Sequence, residues 1–329
     1  MEDMINQYKL LAPFQNKNAG FSRWTYAVKE GKTYFLKEFL NPVYPMGDSI
    51  SSALQKQRIK DCQEYQDKKK RLYEAIHQAS DGNLIQIHEF FRYDSHYYIA
   101  TQRIDAQKLS PEDVAALPAE QRVLLCKTIA HGVKKLHEAH VVHADIKETN
   151  ILLKQTKTGN LVGKLIDFDC SFFENAPPQS EDELGGDQVY LAPEACQFIC
   201  GEEAELTCKL DVFALGILFH QYLTGKMPGF DTSEYDYAFE AVLDDQELIL
   251  SQKLPQKLRR MIGGMLEQDP KKRLSMDQVF NILDKKEEKK APEEKKIKAA
   301  EVAAPTKEPE KEPEVSSQKE GWFFTPGDL

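Results

Sequence analysis

Residues 141–153 read VVHADIKETNILL, and they are the most informative part of the chain. An apolar pair leads into a polar loop, an apolar strand follows, and the loop carries Asp145, Lys147 and Asn150. Further along the chain, a second short apolar run ends in a carboxylate, Asp167. Carboxylate and amide oxygens are the hard ligands that Mg²⁺ prefers and shares with phosphates. The pattern therefore predicts two neighbouring loops that hold Mg²⁺ and a phosphate group, with a further carboxylate beside a lysine to orient a hydroxyl group.

Upstream of this stretch, short runs rich in aromatic and β-branched residues predict two hairpins. The first hairpin turns at Gly31 and the second at Asp94-Ser95. The predicted strands are Trp24 to Val28, Thr33 to Phe39, Leu84 to Phe91 and His96 to Ile104. A long charged helix, predicted over residues 52–78, separates the hairpins. Its apolar positions recur at intervals of three and four, with one gap that a lysine run fills: Ile59, Cys62, Tyr65, Leu72 and Ile76.

Downstream of Ser110 the helical period dominates. Residues 122–139 carry apolar side chains at helical spacing, and residues 212–223 are apolar nearly all round, which is typical of a buried helix. Strands first and helices later predict an α+β fold.

Composition and charge exclude several classes of function. The chain has 329 residues, of which 41% are hydrophobic and 29% charged, as in an ordinary globular protein. Its formal net charge is -10, which argues against a nucleic acid or an anionic membrane as the main partner. No apolar run approaches the ~20 residues that span a bilayer, and residues 1–6 do not resemble a signal peptide. We therefore expect a cytoplasmic protein with no nucleic-acid partner and no membrane partner.

The six cysteines do not indicate a disulfide framework in a chain with no predicted signal peptide. Cys196, Cys200 and Cys208 lie close together in sequence, but their spacing matches no zinc-binding pattern, and no histidine lies among them. We predict free thiols here rather than a metal site.

Six motifs in order resemble the eukaryotic-type protein kinase family over roughly residues 8–284. The 143–150 loop resembles His-Arg-Asp-Leu-Lys-x-x-Asn with Ala144 in place of arginine, and Asp167-Phe168-Asp169 resembles Asp-Phe-Gly. The remaining four motifs are Phe35-Leu36-Lys37 for the strand with the phosphate-binding lysine, Ala192-Pro193-Glu194, the buried helix that starts with Asp211, and Asp269-Pro270 followed by Arg273.

The resemblance implies a bilobal protein kinase-like fold, with a small β-rich N-lobe that holds one long helix and a larger, mainly helical C-lobe. The kinase domain would cover residues 1–284, with the N-lobe at about 8–104 and the C-lobe at about 105–284. The composition of residues 285–319, almost entirely Lys, Glu, Ala and Pro, predicts a disordered linker. The adjacent aromatics of residues 320–329 suggest a docking peptide for a partner or for the chain's own kinase domain, or else an incidental hydrophobic end.

The resemblance also implies a role for each matched residue, with ATP and Mg²⁺ as cofactors and a protein as substrate. Asp145 would orient the acceptor hydroxyl, and Lys147 would neutralise charge on the transferred group. Asn150 and Asp167 would bind Mg²⁺. The nucleotide would contact Lys37 through its α- and β-phosphates, Gly20 in the phosphate loop, Leu152 on the floor of the base pocket, Thr101 at its back wall, and the main chain from Gln102 to Ile104.

The chain departs from the family pattern around the nucleotide. Gly20 is the one glycine where the family has three, so the segment is either a phosphate loop or a plain turn. Phe35 takes the place of a small residue above the base, so either it turns away or the pocket is altered. We expect Lys37 to pair with a carboxylate of the long helix: Glu64 is our choice, with Asp67 and Glu74 as alternatives.

Two further departures concern the activation segment, between Asp167 and Glu194. Ala144 lacks the guanidinium that grips a phosphorylated segment in the family, and the segment offers only Ser171 and Ser180 as serine or threonine acceptors. Asp187 takes the place of a threonine, where it would accept a hydrogen bond from Lys147.

Three functions agree with the sequence. The first is a protein kinase that transfers the γ-phosphoryl group of ATP to a serine or threonine of a protein. The second is a pseudokinase, a nucleotide-regulated binding module, which the missing glycines and Ala144 favour. The third is a small-molecule phosphotransferase, which the Ile166 to Asp169 stretch fits superficially and the Ala-Pro-Glu motif fits badly.

Overall fold

The computed structural model describes residues 4–17, 22–46 and 53–285. The chain divides into two units, Met1–Lys286 and Glu287–Leu329. The predicted linker of residues 285–319 and the predicted docking peptide of residues 320–329 lie, apart from Lys285, outside the described residues, and both stay predictions.

An antiparallel sheet of six strands forms the N-terminal part of the first unit, in the order β1-β2-β3-β4-β6-β5. Its two hairpins turn where the sequence predicts them. Glu30 and Gly31 both have positive φ (53° and 74°), as does Asp94 (51°), which is the geometry that tight hairpin turns require. The strands are β1 (Met4–Ile5), β2 (Tyr8–Leu10), β3 (Ser22–Lys29), β4 (Lys32–Phe39), β5 (Ile87–Tyr93) and β6 (His96–Gln102).

Alternation along β4 divides its side chains between the two faces of the sheet. Tyr34 and Leu36 belong to a small outer core with Tyr8 and Tyr98. Phe39, from the other face, belongs to the main core, which extends through both lobes. This period of two places Lys37 on the inner face, towards the C-terminal part of the domain.

Helix α1 (Ala53–Ala79) crosses the inner face of the sheet between the two hairpins, within one residue of the predicted span. Its buried side chains are Cys62, Leu72, Tyr73 and Ile76, and these join the main core. The apolar positions at intervals of three and four therefore determine which side of α1 faces the main core.

The C-terminal part is mainly helical and surrounds α5 (Lys209–Thr224), which is buried on nearly every side. Helix α5 ends at Gly225, whose φ of 75° provides the left-handed cap. The other helices are α2 (Pro111–Ala116), α3 (Ala119–Glu138), α4 (Pro193–Ile199), α6 (Ala238–Leu243), α7 (Gln256–Met265) and α8 (Met276–Asp284).

Two small antiparallel sheets of two strands each flank the loops that the sequence singles out. Strand β7 (Val141–Val142) pairs with β10 (Phe172–Phe173), and β8 (Ile151–Gln155) pairs with β9 (Leu161–Leu165). The 143–150 loop therefore lies between β7 and β8, and the Asp167 segment lies between β9 and β10. In the part of the chain that the structure describes, no helix is both long and apolar enough to cross a membrane.

Candidate active site

Helix α5 holds the 143–150 loop through a buried carboxylate. Asp211 accepts the main-chain N–H groups of His143 (2.8 Å) and Ala144 (2.9 Å), and it lies 2.9 Å from His137 Nε2. Ala144 adopts a left-handed conformation (φ 64°), which costs a residue with a side chain ~1–2 kcal/mol. The hydrogen bonds to Asp211 offset this cost, so the loop has a fixed shape before any ligand binds.

His143 joins this loop to the Asp167 segment. Its Nδ1 accepts the main-chain N–H of Asp145 (3.3 Å), and Nε2 therefore donates to the carbonyl of Ile166 (3.1 Å). The N–H of Ile166 in turn donates to the carbonyl of Asn150 (3.0 Å). These bonds place the two predicted ligand loops side by side.

Asp145, Lys147 and Asn150 converge within the loop. The Asn150 amide donates to the main-chain and side-chain oxygens of Asp145, both at 2.8 Å. Lys147 Nζ lies 3.0 Å from Asp145 Oδ1 and 3.7 Å from Asp187 Oδ2. Burial lowers the pKa of Lys147, but the two carboxylates outweigh burial and raise it above its ordinary value. Lys147 is therefore a fixed positive charge beside Asp145.

Asp145 Oδ1 is buried and has no hydrogen-bond partner of good geometry among the described residues, although Lys147 lies near it. The Lys147 ammonium, 3.0 Å away, balances the charge of this oxygen, so Asp145 is held in an ion pair within the loop.

Lys37 crosses from the sheet to the Asp167 segment. Its Nζ donates to both carboxylate oxygens of Asp167, at 2.9 and 3.0 Å, and lies 2.6 Å from Asp169 Oδ2. Burial raises the pKa of Asp167, but Lys37 outweighs it and holds this pKa below its ordinary value. Burial and the neighbouring Asp167 charge raise the pKa of Asp169. Asp167 has a φ of 62°, so this segment also adopts a costly left-handed conformation.

The structure corrects the predicted partner of Lys37. Glu64 is exposed, lies 3.6 Å from Lys60 one turn away, and does not contact Lys37. The two alternatives, Asp67 and Glu74, are exposed as well. The prediction was wrong because the helical phase that buries Cys62, Leu72 and Ile76 turns every one of these carboxylates towards solvent.

The described residues among the predicted nucleotide contacts lie on the inner face of the sheet, at the end of β6 and on β8. Thr101 lies directly opposite Phe35 in the β4–β6 register, on the same face of the sheet as Lys37, and Gln102 follows at the end of β6. Ile104 packs against the main core, and Leu152 is half-buried on β8. Gly20 lies outside the described residues, so its assignment stays a prediction.

Phe35 does not turn away from the predicted base pocket, and two residues that the sequence analysis missed lie beside it. The Phe35 ring stacks on Trp24 (centroids 5.4 Å apart) and contacts Tyr26 edge-on (6.0 Å). All three rings are half-buried. Their common face follows from the register, in which Trp24 is paired with Lys37 and Tyr26 with Phe35. Three aromatic rings therefore lie together on the inner face of the sheet beside Lys37, and we call them the aromatic ceiling.

The activation segment contacts the 143–150 loop near its start and forms a buried ion pair with Arg273 at its end. Ser171 is buried and donates to the carbonyl of His143 (3.0 Å), whereas Ser180 is exposed. At the end of the segment, Arg273 forms two hydrogen bonds with the Glu194 carboxylate, at 2.6 and 3.0 Å. This confirms the predicted pairing of two residues that lie far apart in sequence.

The three clustered cysteines, Cys196, Cys200 and Cys208, are free thiols. Among the described residues no group of three or more His, Cys, Asp or Glu side chains is arranged to hold a metal ion.

The structure combines a sheet that packs against one long helix with a helical lobe built around α5, whose Asp211 is buried. The 143–150 loop and the Asp167 segment lie between them. This combination defines the protein-kinase-like class of folds. The sequence model of the protein kinase domain matches residues 52–282. The chain belongs to the protein kinase family, and the predicted family and fold class are confirmed.

Individual relatives agree with this assignment. The chain is 31% identical to an Aurora kinase of Schizosaccharomyces pombe over 152 residues, which cover 46% of this chain and 39% of that protein. It is 26% identical to calcium-dependent protein kinase 8 of Arabidopsis thaliana over 245 residues (73% and 44%). It is 28% identical to the human serine/threonine-protein kinase ULK3 over 180 residues (54% and 34%). These matches span less than half the length of each relative.

Proposed function

We propose that this chain is a protein kinase that uses ATP and Mg²⁺ to phosphorylate a serine or threonine hydroxyl of a protein. The observation that carries the proposal is the continuous set of contacts that brings Lys37, Asp167, Asn150, Asp145 and Lys147 together. Phosphoryl transfer relies on positioning and charge neutralisation, and these five side chains supply both.

Asp167 and Asn150 are suited to hold Mg²⁺. The Asn150 NH₂ group faces Asp145, so that its amide oxygen is left for a ligand, and the Asp167 carboxylate supplies a second hard oxygen. Mg²⁺, when bound there, would neutralise charge on the phosphate oxygens. Lys37 would contribute a further positive charge to the α- and β-phosphates from the sheet side.

Asp145 would accept a hydrogen bond from the incoming hydroxyl. Its Oδ1 is buried 3.0 Å from Lys147 Nζ, and the Asn150 amide fixes the other oxygen. Lys147 lies close enough to Asp145 to place its charge at the transferred group. Asp187 Oδ2 lies 3.7 Å from Lys147 Nζ and adds a second negative charge beside it.

The base would bind between the lobes, with Leu152 below it, Thr101 behind it and the main chain of Gln102 to Ile104 at its edge. Above it would lie Phe35 and the other two rings of the aromatic ceiling. Gly20 would contribute to the phosphate loop.

A second candidate function is a pseudokinase that binds nucleotide without turnover. The observation in its favour is the aromatic ceiling, because large rings take space that a base needs. The retained Lys37, Asp145, Asn150 and Asp167 favour the active enzyme.

The full-length chain and its Asp145→Asn variant, incubated with radiolabelled ATP, Mg²⁺ and generic protein acceptors, would test the proposal. We expect the wild type to label protein and the variant to lose at least a hundredfold in rate. A wild type that binds ATP but labels nothing is a pseudokinase. Labelling of small hydroxyl or amine compounds without labelling of protein would identify a small-molecule phosphotransferase.

A further inference from the structure

The charged residues around Lys37 form a cluster of four. Lys37 Nζ lies between the carboxylates of Asp167 (2.9 Å) and Asp169 (2.6 Å). Lys69 of α1 enters the same cluster from the other side, because its Nζ donates to the main-chain carbonyl of Asp169 at 2.6 Å. Two lysines and two aspartates thus balance their charges at the interface between the sheet, α1 and the Asp167 segment.

Helix α1 contributes a cation to this cluster and no anion. Within α1, which the structure describes in full, Lys69 is the one charged side chain that is not exposed. All four carboxylates of the helix lie on its exposed face: Asp61, Glu64, Asp67 and Glu74.

Lys69 is itself held in place. Its Nζ lies 5.7 Å from the centre of the Tyr73 ring one turn along the helix, a favourable cation–π distance. Burial lowers the pKa of Lys69, and the charge of Asp169 opposes this effect. Lys69 therefore links α1 to Asp169.

We infer that Asp169 is the residue that positions Lys37, and that Lys69 anchors Asp169 to helix α1. A lysine ammonium on a flexible stem needs a partner to hold it in one orientation, and Asp169 is the partner that remains when Asp167 binds a metal ion. Movement of α1 would then reach Lys37 through Lys69 and Asp169. The inference rests on the proposed function, in which Lys37 contacts the phosphates of ATP.

Asp169→Asn tests the charge with little change in shape. We expect the kcat/KM for ATP to fall tenfold to a hundredfold, because the amide holds Lys37 less firmly. The affinity for ATP, measured by calorimetry, should fall while the affinity for adenosine, which lacks phosphates, stays the same. Asp61→Asn, which removes an exposed carboxylate of α1, is the matched control and should change neither quantity.

Relocating the carboxylate tests the geometry. Asp169→Gly should lose activity as Asp169→Asn does. Adding Lys69→Glu to Asp169→Gly should recover at least tenfold of this loss, because the helix then supplies the anion for Lys37. Adding Lys69→Met to Asp169→Gly, a neutral substitution at the same site, should recover nothing. A purely structural role for Asp169 predicts no difference between these two double variants.

Two results would overturn the inference. One is an Asp169→Asn variant with unchanged kcat/KM and unchanged affinity for ATP. The other is a loss that high Mg²⁺ concentration fully restores, because Asp169 would then be a metal ligand. The comparison of ATP with adenosine decides the inference even if the wild type transfers no phosphate, so the proposed function and the inference fail separately.

Discussion

Replacing Arg273 by alanine should destabilise the domain far more than replacing either of the lysines that precede it. Arg273 is 1% exposed and its partner Glu194 is 4% exposed. The guanidinium also donates to three main-chain carbonyls, those of Glu267 (2.9 Å), Lys209 (2.8 Å) and Gln268 (3.1 Å). Its carbon lies 5.1 Å from the centre of the Phe213 ring on α5. The side chain therefore ties the end of the activation segment to the helical core.

The magnitude follows from what the substitution leaves behind. Arg273→Ala would leave a buried carboxylate at Glu194 without its countercharge, and the removal of one partner from a buried pair costs about 3–5 kcal/mol of the free energy of unfolding. At about 2 °C for each kcal/mol in a domain of this size, the Tm should fall by about 6–10 °C. Lys272 is 75% exposed and lies 4.0 Å from Asp269, and a surface pair of this kind contributes about 0–1 kcal/mol.

Thermal unfolding followed by circular dichroism would measure these shifts in the full-length chain. Lys271→Ala and Lys272→Ala are the controls, and both should lower the Tm by less than 2 °C. The double variant Glu194→Leu with Arg273→Met should recover part of the loss, because an apolar pair leaves no buried charge. Equal small shifts at positions 271, 272 and 273 would show that Arg273 behaves as a surface residue, and the reasoning would be refuted.

Four further predictions concern catalysis, regulation, the base pocket and the C-terminus. Asp167→Ala and Lys37→Met should abolish or strongly reduce phosphoryl transfer while far-UV circular dichroism stays the same; full activity in Asp167→Ala would contradict its metal role. Phosphatase treatment should leave activity unchanged, since Ala144 removes the arginine that would grip a phosphate; a loss that Ser180→Glu restores would contradict this. ATP should quench the fluorescence of Trp24, measured in a Trp322→Phe background. The absence of quenching at saturating ATP would show that the aromatic ceiling does not lie beside the bound base. Deletion of residues 320–329 should leave phosphorylation of a generic acceptor unchanged but weaken one specific association or release one autoinhibited activity; identical partners and rates would exclude a docking role.

The sequence predicted the C-terminal half of the site because each motif there is defined by residues that lie close together in sequence. The Asp145 to Asn150 loop lies between two short apolar strands, and its polar residues bond mainly to one another. The buried helix was evident from residues 212–223, which are apolar nearly all round. Such local patterns need no information about what packs against them.

The partner of Lys37 was not predictable from residue type alone, but the helical spacing contained a signal. The apolar series of α1 runs through Cys62, Tyr65, Leu72 and Ile76, and the gap in it falls where Lys69 lies. A lysine at an inward position of an amphipathic helix predicts a buried or half-buried cation that needs an anion. The anion beside Lys37 does not come from α1, from which the sequence prediction took its candidates. It comes from another segment, at Asp169.

The aromatic ceiling needed tertiary information of a different kind. Phe35 shares a face with Lys37 because both lie on β4 two residues apart, but only the register of β3 against β4 shows that Trp24 and Tyr26 join them. A slip of one residue in that register would move Trp24 and Tyr26 to the face opposite Lys37.

Several departures from the family pattern lie around Lys37, whereas Ala144 and Asp187 lie at the 143–150 loop and in the activation segment. The aromatic ceiling around Phe35, the anion at Asp169 and the cation at Lys69 all surround Lys37, where the phosphates and base of a nucleotide would bind. The residues that would handle the acceptor hydroxyl, Asp145 and Lys147, keep their mutual contact in the opposite lobe. Changes that affect nucleotide binding alone alter KM, whereas changes at the reacting groups alter kcat. Under the proposed function, the features particular to this chain around Lys37 would therefore act on nucleotide binding, whereas Asp145 and Lys147 would act on the transfer step.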